Sequence, residues 1–160
     1  MTFLKLQKGT NMANDDMMRE TKRKSDILSR WRKEFNCFAI SMVGNKMQQP
    51  GLPDALVLYK DVHIWIEFKN PETETRTIQT IIHRRFLEHG VKVWIVRFLT
   101  ETEWVIENSI PALPIKFDKV GIGAKKLFYS LIQLESTRLQ ERRQSNLPME
   151  LTPVIGEAGQ

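Results

Sequence analysis

The chain has a single cysteine, Cys37, in 160 residues, so it can form no internal disulfide. A reducing, intracellular setting is the simplest expectation. Long apolar runs are missing too. Charges interrupt every one before it reaches the roughly 20 residues of a membrane-spanning helix. The opening residues MTFLKLQKGTNMANDD lack the apolar core of a secretory signal, so a cytoplasmic protein with no membrane partner is expected. Internal repeats and low-complexity tracts are absent. No sign of charge dominates: 24 basic and 19 acidic residues leave +5, which permits a nucleic-acid partner without requiring one. What remains is an ordinary globular composition, 41% hydrophobic and 27% charged, in a length that suits one domain with a real core.

Residues 1–13 carry no pattern and are expected to form a loose leader. Asn14, Asp15 and Asp16 look like a helix start, with caps and acidic groups at the positive end of the dipole. From there to Phe35 the apolar residues Met17, Ile27, Leu28, Trp31 and Phe35 recur at helical spacing. CFAISMV reads as a strand and GNKMQQPG as a loop. DALVLY and VHIWIEFK are two strands joined by Lys60-Asp61, a hairpin. RTIQTIIHRRFLEHG is a helix closed by Gly90, and VKVWIVRF a fourth strand. The core is therefore expected over residues 14–100 in the order α-β-β-β-α-β. Residues 101–145 read as a proline-spaced connector, IPALPIKF, and a last amphipathic helix from about Gly123 to Arg143. Residues 146–160 are expected to be a flexible tail.

The hairpin gathers the chemistry. With Lys60 and Asp61 in the turn, Tyr59 faces Val62, and the same register sets Asp54 directly opposite Glu67. Opposed residues have Cβ atoms about 4.5–5.5 Å apart on one face. Lys69, two residues beyond Glu67, shares that face. The other face of the second strand, Val62, Ile64, Ile66 and Phe68, is wholly apolar, and Leu56, Leu58 and Trp65 keep the first face apolar away from the site. Both faces should be covered, as in central strands. Two opposed carboxylates there repel and are costly to desolvate, which a hard divalent cation would relieve. A magnesium ion on Asp54, Glu67 and the carbonyl of Phe68 could polarise a phosphodiester and acidify a bound water. Lys69 could orient that water or neutralise charge developing at phosphorus. Alone, an acid and a lysine two apart on a strand are usually a solvated pair. Turn, register, apolar flanks and the following helix together make the pattern specific.

GLPDALVLYKDVHIWIEFKN, with Gln79 and then EHGVKVWIVRF, resembles the PD-(D/E)XK nuclease superfamily, and within it the VRR-NUC (virus-type replication-repair nuclease) branch. Gly51, Pro53 and Asp54 match the branch's G-x-P-D, and Glu67-Phe68-Lys69 its E-x-K. Gln79 matches the glutamine opening the next helix, and Gly90 the glycine before the last core strand. Where the branch has Ser-Pro ahead of the glutamine, this chain has Arg76-Thr77-Ile78. The likeness covers roughly residues 16–98. It implies a restriction-endonuclease-like α/β fold with a four-stranded mixed sheet flanked by helices, to which the chain adds its C-terminal helix. It also implies magnesium dependence, with manganese able to substitute, and cleavage of DNA, often branched or flapped. Gln79 would position a phosphate or water. An acidic residue of the first helix would complete the metal site through water. Glu20 falls within about 20° of the Ile27 and Trp31 face at roughly 100° per residue, and Glu34 is the competing choice.

Other polar residues point less sharply. His83 shares a helix face with Gln79 and is expected at a helix surface or edge. His63 would lie about 13 Å from Glu67 along the strand, too far to ligate the same ion. Arg23, Lys24, Arg84 and Arg85 are candidate DNA contacts, although a solvated helix face explains each as well. Trp31, Trp65 and Trp94 are expected in the core, with Trp104 open. Together these features predict a magnesium-dependent DNA endonuclease, structure-specific and of phage or mobile-element type, acting in replication, recombination or repair. It would be a homodimer if it cuts junctions. The alternatives are a sequence-specific restriction-type enzyme, or a catalytically silent DNA-binding or assembly factor of the same fold.

Overall fold

The computed structural model describes residues 20–42, 50–73, 77–108 and 117–146. The expected leader, the helix start at Asn14 to Asp16 and nearly all of the tail lie outside the described residues. Helix α1 is described over residues 20–35. It is followed by β1 (Phe38–Ser41), β2 (Ala55–Tyr59), β3 (Val62–Lys69), α2 (Thr77–Glu88) and β4 (Val93–Phe98). This is the α-β-β-β-α-β order read from the sequence. Strands β1, β2 and β3 are antiparallel neighbours, whereas β4 lies parallel to β3 after the α2 crossover. The sheet is mixed and flanked by helices, consistent with the restriction-endonuclease-like fold expected from the sequence.

Among the described residues it has six strands, not four. Strands β5 (Glu103–Asn108) and β6 (Phe117–Ile122) extend it in the order β1-β2-β3-β4-β5-β6. Both fall in the stretch expected to be a connector. The prolines that suggested a connector, at 111 and 114, sit between the two strands, outside the described residues. Glu103–Asn108 does alternate, sending Trp104 and Ile106 to one face and Val105 and Glu107 to the other. The turn into it is closed by Thr100, whose hydroxyl accepts from the backbone N–H groups of Thr102 and Glu103. The last helix, α3 (Ala124–Ser145), lies close to its expected span.

The period-2 pattern of β3 sorts the layers. Ile64, Ile66 and Phe68 join Trp94, Val96 and Phe98 of β4 in a core closed by Leu28 and Trp31 of α1 and by Leu127, Phe128 and Leu131 of α3. Phe128 is its hub, stacked on Phe35 at 4.0 Å and edge-on to Tyr59 at 5.1 Å. Burying each such side chain contributes about 1.5–3 kcal/mol. Trp104 is buried in this core, which resolves its open status. The indole N–H groups of Trp31 and Trp104 donate to the Ala124 and Gly123 carbonyls at 2.8 and 3.0 Å, fixing the start of α3. On the opposite face α2 packs Phe86 edge-on against Trp65.

Glycine matters at two places. Gly90 (φ 82°) ends α2 with Val91 N–H donating to Phe86 carbonyl and Gly90 N–H to Leu87 carbonyl, a left-handed C-terminal cap. Gly51 (φ 87°) lies so close to α2 that a Cβ there would meet the Ile78 carbonyl at 2.9 Å. It therefore lets the loop leading to Asp54 lie against the helix that carries Gln79. Among the described residues, no helix is long and apolar enough to cross a membrane.

Candidate active site

The hairpin register is the one expected. Tyr59 pairs with Val62 and Ala55 with Ile66, around a turn in which Lys60 takes a positive φ of 52°. Asp54, one residue before β2, is thus level with Glu67 at the end of the β2–β3 pair. Its carbonyl accepts from Met42 N–H at 2.7 Å, extending the pairing toward β1. Its Oδ2 accepts from the backbone N–H of Phe68 at 2.8 Å.

Two polar chains meet here. In one, Lys69 Nζ donates to Gln79 Oε1 at 2.8 Å, and Gln79 Nε2 donates to Glu67 Oε1 at 2.7 Å. Lys69 Nζ is also 3.4 Å from Glu67 Oε1. In the other, Lys24 Nζ lies 3.1 Å from Asp54 Oδ2 and 3.0 Å from Glu20 Oε1, while Asn70 Nδ2 donates to Glu20 Oε2 at 2.9 Å. The structure therefore brings Asp54, Glu67, Lys69, Gln79, Glu20 and Lys24 to one end of the sheet. Glu34 is elsewhere, at the far end of α1 in an exposed pair with Arg30.

Burial sets the electrostatics. Glu67 and Lys69 are only 3% and 4% exposed. Glu67 Oε2 is buried with no hydrogen-bond partner, although Oε1 is satisfied. Burial, then the charge of Asp54, pushes the Glu67 carboxyl up to about 7, against the opposing pull of Lys69 and Lys24. Lys24 shifts the other way in charge terms. Burial disfavours its ammonium, but Asp54 and Glu20 outweigh that and raise its pKa.

His83 corrects the sequence reading. It is fully buried rather than at a surface or edge, with neither ring nitrogen hydrogen-bonded. Burial and the nearby charge of Lys69 depress its pKa to about 4, so the imidazole is neutral. Its four-residue spacing from Gln79 gave its helix face correctly. What the spacing could not give was the closeness of that face to the sheet.

The remaining candidates are more scattered. Arg23 sits over the Phe98 ring at 5.0 Å, and Arg84 and Arg85 are exposed on α2. Arg97, by contrast, clamps the turn after β3. Its guanidinium donates to the Asn70 and Thr73 carbonyls at 2.8 and 2.7 Å and pairs with Glu107 at 2.8 Å. Asn70 also belongs to the cluster, and its only sequence signal is its place directly after Glu67-Phe68-Lys69. Among the described residues no group of three or more His, Cys, Asp or Glu is arranged to hold a metal ion. The acidic donors at the site are two opposed carboxylates, with Glu20 a step away behind Lys24.

No protein-family model matches the chain, and no curated protein does. Among solved structures it is similar to Archaeoglobus fulgidus Hjc, described as a Holliday junction resolvase from an archaeal hyperthermophile. The identity is 16%, the match covers 64% of this chain and 87% of that one, and the TM-score is 0.46.

Proposed function

We propose that this chain is a magnesium-dependent nuclease that hydrolyses phosphodiester bonds in DNA. The observation that carries the reading is Glu67: a buried carboxylate with one unpartnered oxygen, level with Asp54 and linked through Gln79 to a buried lysine. Leaving such an oxygen unsatisfied is costly unless something binds it. Magnesium suits the donors, because it takes one or two carboxylates and fills its other positions with water and phosphate. Asp54, Glu67 and the Phe68 carbonyl would hold it, Glu20 would act through water, and manganese would substitute. Bound there, the ion supplies Lewis-acid polarisation of the phosphodiester and a more acidic water.

The chain's own residues do the rest. Gln79 fixes the Lys69 ammonium and Glu67 Oε1 relative to each other, so both groups are preorganised. Lys69 orients the attacking water and neutralises charge developing at phosphorus. Arg23, Arg84 and Arg85 offer cations to the DNA backbone. Within nucleases we favour a structure-specific endonuclease of replication, recombination or repair. The described residues form one sheet with its helices, and no separate sequence-reading module is present among them. A junction substrate would call for a homodimer with two such sites.

The test compares wild type with Lys69→Ala, with magnesium, on linear, circular, flapped and four-way DNA. Wild type should cut, and the variant should be slower by about 10²–10³-fold. If wild type cuts none of these DNAs, the nuclease reading fails. Cutting only at one linear sequence makes it a restriction-type enzyme.

A further inference from the structure

We propose that Lys24 is a resident counter-ion of the site: its ammonium holds Glu20 and Asp54 together in the metal-free protein and releases them when a divalent cation is bound. This rests on the magnesium reading above and concerns a residue that reading leaves without a role at the metal. The geometry is specific. Lys24 Nζ bridges the two acids at 3.0 and 3.1 Å, and on Asp54 it takes the same Oδ2 that accepts from Phe68 N–H. Lys24 thus sits between Asp54 and the one acid of α1 expected to reach the metal through water.

Electrostatics require such a partner and also oppose its staying. Without a cation, Asp54, Glu20 and Glu67 would crowd negative charge at one strand end, and Lys24 offsets that charge. A divalent cation on the same oxygens would be repelled by an ammonium at this distance, so Lys24 and the ion compete for Asp54. The release has room. A cavity of about 380 Å³ opens beside Lys24 and Asp54, lined also by Thr21, Ser25, Ser41 and Arg32, whose guanidinium donates to the Ala39 carbonyl. A lysine stem is flexible enough to turn into it and keep its charged end hydrated.

The experiment is a titration of manganese(II) into the metal-free full chain, read from the electron paramagnetic resonance of the free ion, with magnesium as competitor. Lys24→Met should bind manganese about tenfold or more tightly than wild type, whereas Lys24→Arg, which keeps the charge, should stay within about threefold. Lys24→Met should also melt lower without metal and gain more from its addition. If Lys24→Met does not fold, Lys24→Gln removes the same charge and replaces it. An unchanged or weaker affinity in the neutral variant, with wild type binding normally, overturns the counter-ion role and leaves the metal site standing. A lysine with a merely structural role gives that result, lower melting with no gain in affinity. Binding by neither protein overturns the metal site itself, and the counter-ion role with it.

Discussion

Two glutamates are buried almost equally in this fold, Glu67 on β3 at 3% exposure and Glu135 on α3 at 2%. Their surroundings differ. Glu135 uses both oxygens: Oε2 accepts from Trp94 Nε1 at 2.8 Å and from Arg138 Nε at 3.0 Å, and Oε1 from Arg138 Nη2. Arg138 and Arg142 also reach the Gly90 carbonyl, so this cluster ties α3 to β4 and to the cap of α2. Glu67 keeps one oxygen without a partner beside a second carboxylate. Burial alone does not mark a functional acid. A buried carboxylate whose lone pairs are all used holds structure together, and one left incomplete is available to a ligand.

The largest effect that would break this contrast is at Glu135. Glu135→Ala leaves Arg138 and the Trp94 indole without their acceptor inside the protein. It should cost about 3–5 kcal/mol in denaturant unfolding. If it costs less than Glu67→Gln does, the assignment of the two roles is reversed.

Glu67→Gln should do the opposite in the metal-free protein. It keeps an acceptor for Gln79 and removes a charge that burial disfavours. Above pH 7 the variant should be more stable by on the order of 1–3 kcal/mol, while DNA cleavage falls sharply. The sign follows from the shift. The folded pKa, about 7, lies above the ordinary 4.5, so the folded state binds more protons between those values. The stability tied to the protonated form is complete below 4.5 and is lost as pH rises through 7.

His83 has the reverse sign. Its folded pKa of about 4 lies below the ordinary 6.5, so its contribution is complete above 6.5 and is lost as pH falls through 4. Between about 4.5 and 6.5 the two groups therefore offset each other. His83→Leu should expose the Glu67 slope, with stability falling as pH rises across that window. Glu67→Gln should expose the His83 slope, rising instead. Unfolding at four or five pH values separates them, and parallel profiles for all three proteins would refute both assignments.

The smallest effect separates Glu20 from Glu34, the two glutamates of α1. Glu34→Ala breaks only an exposed pair with Arg30 and should change stability by less than about 0.5 kcal/mol, leaving cleavage intact. Glu20→Ala should weaken manganese binding. An equal loss of binding in both variants would remove Glu20 from the site.

Much of the site was legible because it is built from strand geometry. Alternation along VHIWIEFK puts Glu67 and Lys69 on one face, and a two-residue turn at Lys60 and Asp61 sets Asp54 level with Glu67. Gly90 announced the end of α2 through its cap. The outer two strands were harder to see, since the prolines between them resembled a connector more than a hairpin loop. Trp104 and Ile106 carried the missed signal, two large apolar residues at strand spacing.

The sequence by itself determined the elements of the α-β-β-β-α-β core, their faces and the clustering of Asp54, Glu67 and Lys69, because periods of 2 and 3.6 act over a few neighbouring residues. Only the tertiary structure decided what each polar group meets. Asn70 reaches Glu20 across 50 residues of chain, and Trp94 reaches Glu135 across 41. It also chose Glu20 over Glu34 as the acid beside Asp54, set Lys24 between Glu20 and Asp54, and buried His83 behind Lys69. Those outcomes depend on how α1, α2 and α3 pack against the sheet. Packing is a property of whole faces, and no local spacing encodes which charge will lie opposite another.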